Sequence, residues 1–293
     1  MELIFKNINT NTTGFSNWLK SFNEIQSSLL IECDLKEHSF ISKGFTVDHT
    51  VVKYGKISFD DAGFELLNIT DNNKNTYSLD EWNKKYNVRI KIGIFMILPK
   101  FIKVIDTFSP TDFKLNIEFD VYKNGNEDEF HAKSINFKSK SLKMKVKDCN
   151  ISEFEQVSDN LFFNKINVIK DAMSYEISMD AIKNLMSISS VFLTDIKRDI
   201  IKFYTKLDED TNQWAIYAYD LTNESYDYLL GYLKSGVGSE NDLPVYRNNF
   251  LTSVNLKGND ENIILSLSPT DKIKLRIESV DQNSFTVLST VTQ

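Results

Sequence analysis

Two stretches of this chain share one order of elements. Residues 98–121 read LPKFIKVIDTFSPTDFKLNIEFDV, and residues 243–277 read LPVYRNNFLTSVNLKGNDENIILSLSPTDKIKLRI. Each opens on Leu-Pro, runs into an apolar-periodic segment, crosses a polar loop and continues as alternating residues. In the first, Pro99 suits the opening turn of a helix, where a missing N–H costs nothing. Leu98, Phe101, Ile102 and Ile105 share one side of that helix, predicted over 98–107. In the second, a helix is predicted over 244–254, opening on Pro244, with Phe250, Leu251 and Val254 as its apolar side and Arg247 as its cation. The two stretches lie about half a chain apart, which implies a duplicated fold.

The remaining elements fit that duplication. A first amphipathic helix is predicted over 13–27, with Phe15, Trp18, Leu19, Phe22 and Ile25 on one face and Lys20 off it. Strands are predicted over 29–33, 40–47, 51–59 and 64–69, punctuated by Gly44, Gly55 and Gly63. Residues 71–87 read as a polar loop or insertion with one short helix around Trp82. A strand over 88–95 leads into the 98–107 helix. From Phe113 to Val121 apolar and polar residues alternate strictly, as in a strand with one buried face. Asn124-Gly125 marks a hairpin, and strands over 130–137 and 142–146 follow. The pattern breaks from residue 147 to 172. A second cycle then reads strand 174–178, helix 179–192, strands 200–206, 214–220 and 226–230, a Gly-bearing loop over 235–242, the 244–254 helix, and strands 262–267, 272–279 and 284–288. Two helices on one face of an antiparallel sheet, made twice, give an α+β chain. The expected domains are 1–147 and 173–293, with 148–172 as connector.

Length and composition agree with this. A chain of 293 residues with 41% hydrophobic and 26% charged residues fits two globular domains. The 21 Phe and 12 Tyr suit a β-rich core. Cys33 and Cys149 are isolated and are expected to be free thiols. His38, His49 and His131 have no zinc-type spacing, so no metal is expected. The sequence shows no nucleophile elbow, no phosphate-cradling glycine loop and no Ser-His-Asp order, so neither a cofactor nor an enzymatic activity is expected. The start of the chain lacks a signal-peptide core, and no apolar run reaches the ~20 residues that span a bilayer. A cytoplasmic protein with no membrane partner follows. The net charge of −7 argues against holding nucleic acid with the whole surface but allows one basic inner face.

The element order resembles that of the DNA sliding clamps, the family of proliferating cell nuclear antigen and the viral polymerase clamps. The helix-plus-hairpin units at 98–121 and 243–277 carry the resemblance. It implies tandem clamp-type domains in a ring around duplex DNA, with helices lining the hole. Clamps with two domains per chain assemble as trimers, whereas β-clamp chains carry three domains and pair as dimers. A homotrimer is therefore implied here.

In that family the inner helices carry exposed cations. The matching positions are Lys20, Lys100, Lys103, Lys183 and Arg247. Diffuse attraction to phosphate without base reading suits a ring that must slide. The family also has an outer groove for short peptides of DNA polymerase and other replication proteins. By position Phe45, His49 and Val52, in GFTVDHTVV, form one wall. Val287 and Leu288 form the other, and connector residues 161–168, with Leu161, Phe162 and Phe163, form a lid. Closing the ring onto DNA implies an ATP-driven clamp loader. The long 71–87 insertion and the Asn-, Lys- and Ile-rich composition suit a phage or other viral origin, acting in the host cytoplasm.

The alternative from a different class is a viral tail or capsid component with no cation-lined channel. The run Lys138, Lys140, Lys143, Lys145 and Lys147 looks like a nucleic-acid stripe. Its last three members alternate with Leu142, Met144 and Val146, which marks them as the exposed face of a protected edge strand.

Overall fold

Apolar spacing along the chain sets where each element buries its face. The computed structural model describes residues 1–8, 12–86, 89–94, 98–124, 127–147, 151, 154, 158–163, 169–192, 200–220, 223–256, 261–268 and 274–289. Gly125, Cys149 and connector residues 164–168 lie outside these, as does the side chain of Leu161. The chain forms two compact units. One takes Met1–Gly44 and Tyr54–Gln156, the other Phe45–Lys53 and Val157–Gln293.

The first unit opens with β1 (Glu2–Asn7), a strand for which the sequence reading made no assignment. Its alternate residues Leu3 and Phe5 are fully buried. Helix α1 (Thr13–Asn23) follows, shorter than the expected 13–27. Strands β2 (Leu29–Asp34), β3 (Ser39–Phe45), β4 (Val51–Ser58) and β5 (Phe64–Thr70) come next. The insertion is ordered as β6 (Thr76–Tyr77) and α2 (Leu79–Lys85). Then come β7 (Ile90–Ile94), α3 (Leu98–Phe108), β8 (Phe113–Asn124), β9 (Glu127–Ser139) and β10 (Lys143–Lys147). Strand β1 pairs with β5 and β8, β8 with β9, and β9 with β10. Strand β2 pairs with β3 and β7.

Helices α1 and α3 pack side by side. Phe15, Trp18, Phe101 and Ile105 enter one core with Ile92, Ile94, Leu115 and Ile117. Burying each such side chain stabilises by about 1.5–3 kcal/mol. Lys143, Lys145 and Lys147 are exposed along β10, and Lys145 pairs with Glu118 at 2.9 Å. Cys33 is a buried free thiol, its pKa pushed up first by burial and then by the neighbouring Asp34 charge.

The second unit repeats this pairing scheme. After α4 (Asp159–Leu161) come β11 (Met173–Ser178), α5 (Met179–Phe192), β12 (Ile200–Asp208), β13 (Gln213–Asp220) and β14 (Asn223–Ser235). Strand β15 (Asn241–Tyr246), α6 (Arg247–Val254), β16 (Asn262–Leu267), β17 (Lys274–Ser279) and β18 (Ser284–Ser289) complete it. Strand β11 pairs with β14 and β16, as β1 does with β5 and β8. Strand β12 pairs with β13 and β15, as β2 does with β3 and β7. Helices α5 and α6 therefore stand where α1 and α3 stand in the first unit.

One sequence expectation fails here. The helix predicted to open on Pro244 begins at Arg247, and Pro244 lies in β15 opposite Lys202. Leu243 and Val245 are buried while Tyr246 is exposed, so the period is two and not 3.6. The Leu-Pro of residues 98–99 starts a helix. The Leu-Pro of 243–244 belongs to the strand before one, the counterpart of β7. The shared dipeptide is out of register with the shared fold.

Candidate functional site

Two surfaces hold the residues singled out from the sequence. The first is the outer side of the helices. Helix α1 carries one charged residue, Lys20, and α3 carries Lys100, Lys103 and Asp106. Lys100 and Lys103 are exposed, being three residues apart on the side away from Phe101, Ile102 and Ile105. Lys20 is 49% exposed and reaches Asp106 at 3.5 Å, and Asp106 also accepts from the Ser16 hydroxyl at 2.6 Å. Helices α1 and α3 thus carry three lysines and one carboxylate between them, and Lys20 is the lysine shown to reach it.

In the second unit Lys183 is 71% exposed on α5 but pairs with Asp180 at 3.0 Å. Arg247 is the first residue of α6 and is partly buried. A cation at a helix N-terminus opposes the helix dipole, so the helix field does not favour Arg247 there.

The second surface lies in the second unit. Residues 45–53 form a tight tip. The Thr46 N–H donates to the Val51 carbonyl at 3.0 Å, and the His49 N–H donates to the Thr46 carbonyl at 2.8 Å. Asp48 accepts from the Thr46 and Thr50 hydroxyls at 2.6 and 2.8 Å, and these hold its pKa below the ordinary carboxylate value. His49 takes a left-handed φ of 56° and stacks on Phe45, with ring centroids 4.9 Å apart. Val47 stands 98% exposed at the tip. Val52 is partly buried.

Two bonds fasten this tip to α6. The Asn249 amide donates to the Thr50 hydroxyl at 3.1 Å. The fully buried Lys53 ammonium donates to the carbonyl of Asn255, the C-cap of α6. A cation there is favoured by the helix dipole.

Helix α6 packs on β18. Across β17 and β18, Arg276 lies opposite Val287 and Leu275 opposite Leu288. Neighbouring strand residues face opposite sides, so Val287 shares the face of Phe285 and Arg276, while Leu288 is fully buried on the other. The expected wall pair thus points to opposite faces of β18, and both Val287 and Leu288 are buried. Phe162 is fully buried and packs on Phe285 at 5.5 Å, and Phe163 is 38% exposed beside it at 6.3 Å. Arg276 sits over the Phe285 ring at 5.0 Å and pairs with Glu278. Phe162 is thus packed inside the second unit, and Phe163 is partly exposed beside it.

Sequence reasoning missed Lys53, Asn249, Asn255 and Phe285. Strand parity was a usable signal for two of them. Lys53 falls two residues after Val51 and so on its buried side, and Phe285 falls two before Val287.

No family model matches the sequence, and no curated protein matches it. Solved structures do match. Proliferating cell nuclear antigen from A. fulgidus, bound to the C-terminal region of FEN-1, is 11% identical with a TM-score of 0.61, and the match covers 99% of both chains. The PCNA2–PCNA3 complex from Sulfolobus tokodaii is 12% identical with a TM-score of 0.58, again over 99% of both chains. The fold is that of the sliding clamps. The Helicobacter pylori beta clamp bound to a DNA ligase peptide matches at 12% identity and a TM-score of 0.57, over 99% of this chain and 66% of the clamp chain. That the clamp fold spans essentially the whole chain agrees with the repeated pairing scheme of the two units.

Proposed function

We propose that this chain is a subunit of a DNA sliding clamp, a homotrimeric ring that encircles duplex DNA without reading its sequence. One observation carries the proposal. On a full-length clamp fold, helices α1 and α3 of the first unit carry Lys20, Lys100 and Lys103 against one carboxylate, Asp106, although the whole chain is acid-rich at −7. Segregating cations onto one helix pair in an acidic protein suits diffuse phosphate contact. Residues 1–147 and 173–293 are the clamp domains in this reading, and 148–172 the connector. Lys183 and Arg247 extend the DNA face more weakly.

The same subunit carries an outer groove for partner peptides. Phe45, His49, Val52, Phe162, Phe163 and Val287 take short peptides of a DNA polymerase and other replication proteins. The FEN-1 segment and the DNA ligase peptide on related folds support that class of partner. Leu161 remains in the proposal on sequence position alone. Tethering raises the effective concentration of the polymerase at its template, so no active site is required. An ATP-driven loader would close the ring, in the host cytoplasm if the source is a phage. The clamp fold gives no support to the tail or capsid alternative.

Light scattering on a sizing column tests the assembly. A mass of about 100 kDa is expected from three chains of 33.9 kDa. A monomer at every concentration, together with failure to stay on closed circular DNA, would overturn the proposal. The paired change Lys100→Glu and Lys103→Glu should weaken retention on that DNA and leave the mass unchanged.

A further inference from the structure

We propose that the first unit carries a second docking site, a cleft beside β5 built by the 71–87 insertion. It would take an extended protein segment with an apolar anchor flanked by lysine or arginine. The site lies wholly within residues 37–79, so it does not rest on the peptide groove of the second unit.

The cleft has a volume of about 320 Å³, within the range of small ligand sites. Strand β5 forms one side of it. One edge of β5 pairs with β1, and β6 pairs with Ile69 and Thr70 at the end of the strand. The pairing with β1 slips between Asn68 and Leu66, which leaves Leu67 as an extra, bulged residue. Bulges re-aim side chains, often beside binding sites. Leu67 is 39% exposed and lines the cleft together with Phe59 and Leu79. A solvated leucine on a bulge, next to a ready-made hollow, is a seat for an apolar anchor.

The opposite wall is held rigidly. The Asp71 carboxylate accepts from the backbone N–H groups of Asn73 and Asn75, the Asn75 amide and the Tyr77 hydroxyl. Ser78 and Glu81 form a reciprocal capping box that starts α2. Behind them Trp82 is fully buried against Tyr77, Tyr86, Phe119 and Phe130. The insertion is therefore a preorganised wall whose Tyr77, Ser78 and Leu79 face the cleft. Preorganisation lowers the ordering cost of binding.

Charge selects the occupant. Glu37, Asp60 and Glu65 line the cleft, and no lysine or arginine does so among the described residues. Glu37 and Glu65 pair with Lys56 and Lys6, which lie outside the lining. Asn68 also lines the cleft, and its side-chain oxygen has no hydrogen-bond partner among the described residues. Three carboxylates around an apolar floor, two of them balanced only by a lysine outside the lining, match a segment that brings cations of its own.

The test uses the full chain and fluorescein-labelled octapeptides with a central Leu-Phe pair, flanked by lysines, serines or glutamates. Saturable anisotropy is expected for the lysine series, weaker binding for serine and none for glutamate. Leu67→Asp should lower the lysine-series affinity at least fivefold, and Asp60→Asn with Glu65→Gln should lower it about as much. Phe163→Ala, in the other groove, should change nothing. Circular dichroism would confirm that each variant is folded. Equal binding of all three series, or affinity unmoved by Leu67→Asp, would overturn the proposal. Loss of binding in Phe163→Ala would assign these peptides to the second unit and overturn it equally.

Discussion

In the first unit, α1 and α3 carry Lys20, Lys100 and Lys103 against Asp106. In the second, α5 and α6 carry Lys183 and Arg247 against Asp180. Much of the strand pairing around these helices is shared, though the parallel pairing of β7 with β9 is shown in the first unit alone among the described residues, and the electrostatics differ further. Lys183 spends its charge on a carboxylate three residues away, and Arg247 is partly withdrawn from solvent. Duplication has preserved what packing requires, the apolar stripe of each helix, while the solvent face was free to diverge. If the helices meet DNA, each chain would hold phosphate chiefly through its first unit.

The largest expected effect tests that asymmetry directly. Reversing Lys100 and Lys103 to glutamate should weaken duplex binding on the order of 30-fold at 0.15 M salt, if two phosphate contacts are lost at a slope near 0.9 each. The salt dependence should flatten by about two in the log–log slope. Lys183→Glu should cost far less. Fluorescence anisotropy across a salt series checks both, and equal losses in the two units would break the comparison.

Next comes a change confined to the second unit. Lys53→Met keeps the buried stem but removes the donor to the Asn255 carbonyl. Leaving such a group unsatisfied costs about 1–3 kcal/mol. Amide exchange should show faster opening around α6 and residues 45–53, with the β1–β5–β8 core of the first unit unchanged. A gain in protection instead would mean that burying the ammonium costs more than its bond returns.

These two cases also mark how far the sequence was legible. Strict alternation such as Phe113–Val121, and periodic helices such as 98–107, announce themselves because one face is wholly buried. Strand β1 went unassigned because its burial alternates over only six residues, with no long run behind it. Strand β15 was absorbed into a helix because Leu-Pro opens α3 in the first unit. In the second unit the same dipeptide sits where tertiary pairing with β12 overrides the local signal. The exposed lysines of α3 were readable from helical spacing. That Lys20 leans on Asp106, or that Lys53 is buried against a helix cap, was not, since each depends on an element distant in sequence. Val287 and Leu288 were grouped as one wall by sequence adjacency, whereas neighbouring residues of a strand point to opposite faces.

A smaller effect belongs to the first unit alone. Asn124, His131 and Lys91 hold the Glu129 carboxylate down to about 2. A depressed carboxylate contributes stability that is complete above its unfolded pKa, near 4.3, and is lost as pH falls through the folded value. Glu129→Gln should therefore destabilise the first unit at neutral pH, and its gap from the parent should close between about pH 4.3 and 2. Urea titrations at several pH values, followed by Trp18 and Trp82 fluorescence, check this. A gap that stays constant with pH would mean the residue acts through packing, not charge.

The smallest effect is the most pointed test of why the two helix faces differ. If Lys183 contributes little because Asp180 neutralises it, removing the carboxylate should free the ammonium. Asp180→Asn should then strengthen duplex binding by about twofold, the scale of an exposed pair worth a few tenths of a kcal/mol. The gain should fade at high salt, where exposed charges are screened. The same change also takes an acid from the first turn of α5, where it favours the helix dipole, so a small loss of helix stability should accompany the gain. A stronger interaction with DNA from a slightly less stable helix is difficult to produce by packing alone. No gain in affinity would mean that α5 does not approach DNA, and any hold on DNA would then rest on the first unit's lysines and not on a continuous basic lining.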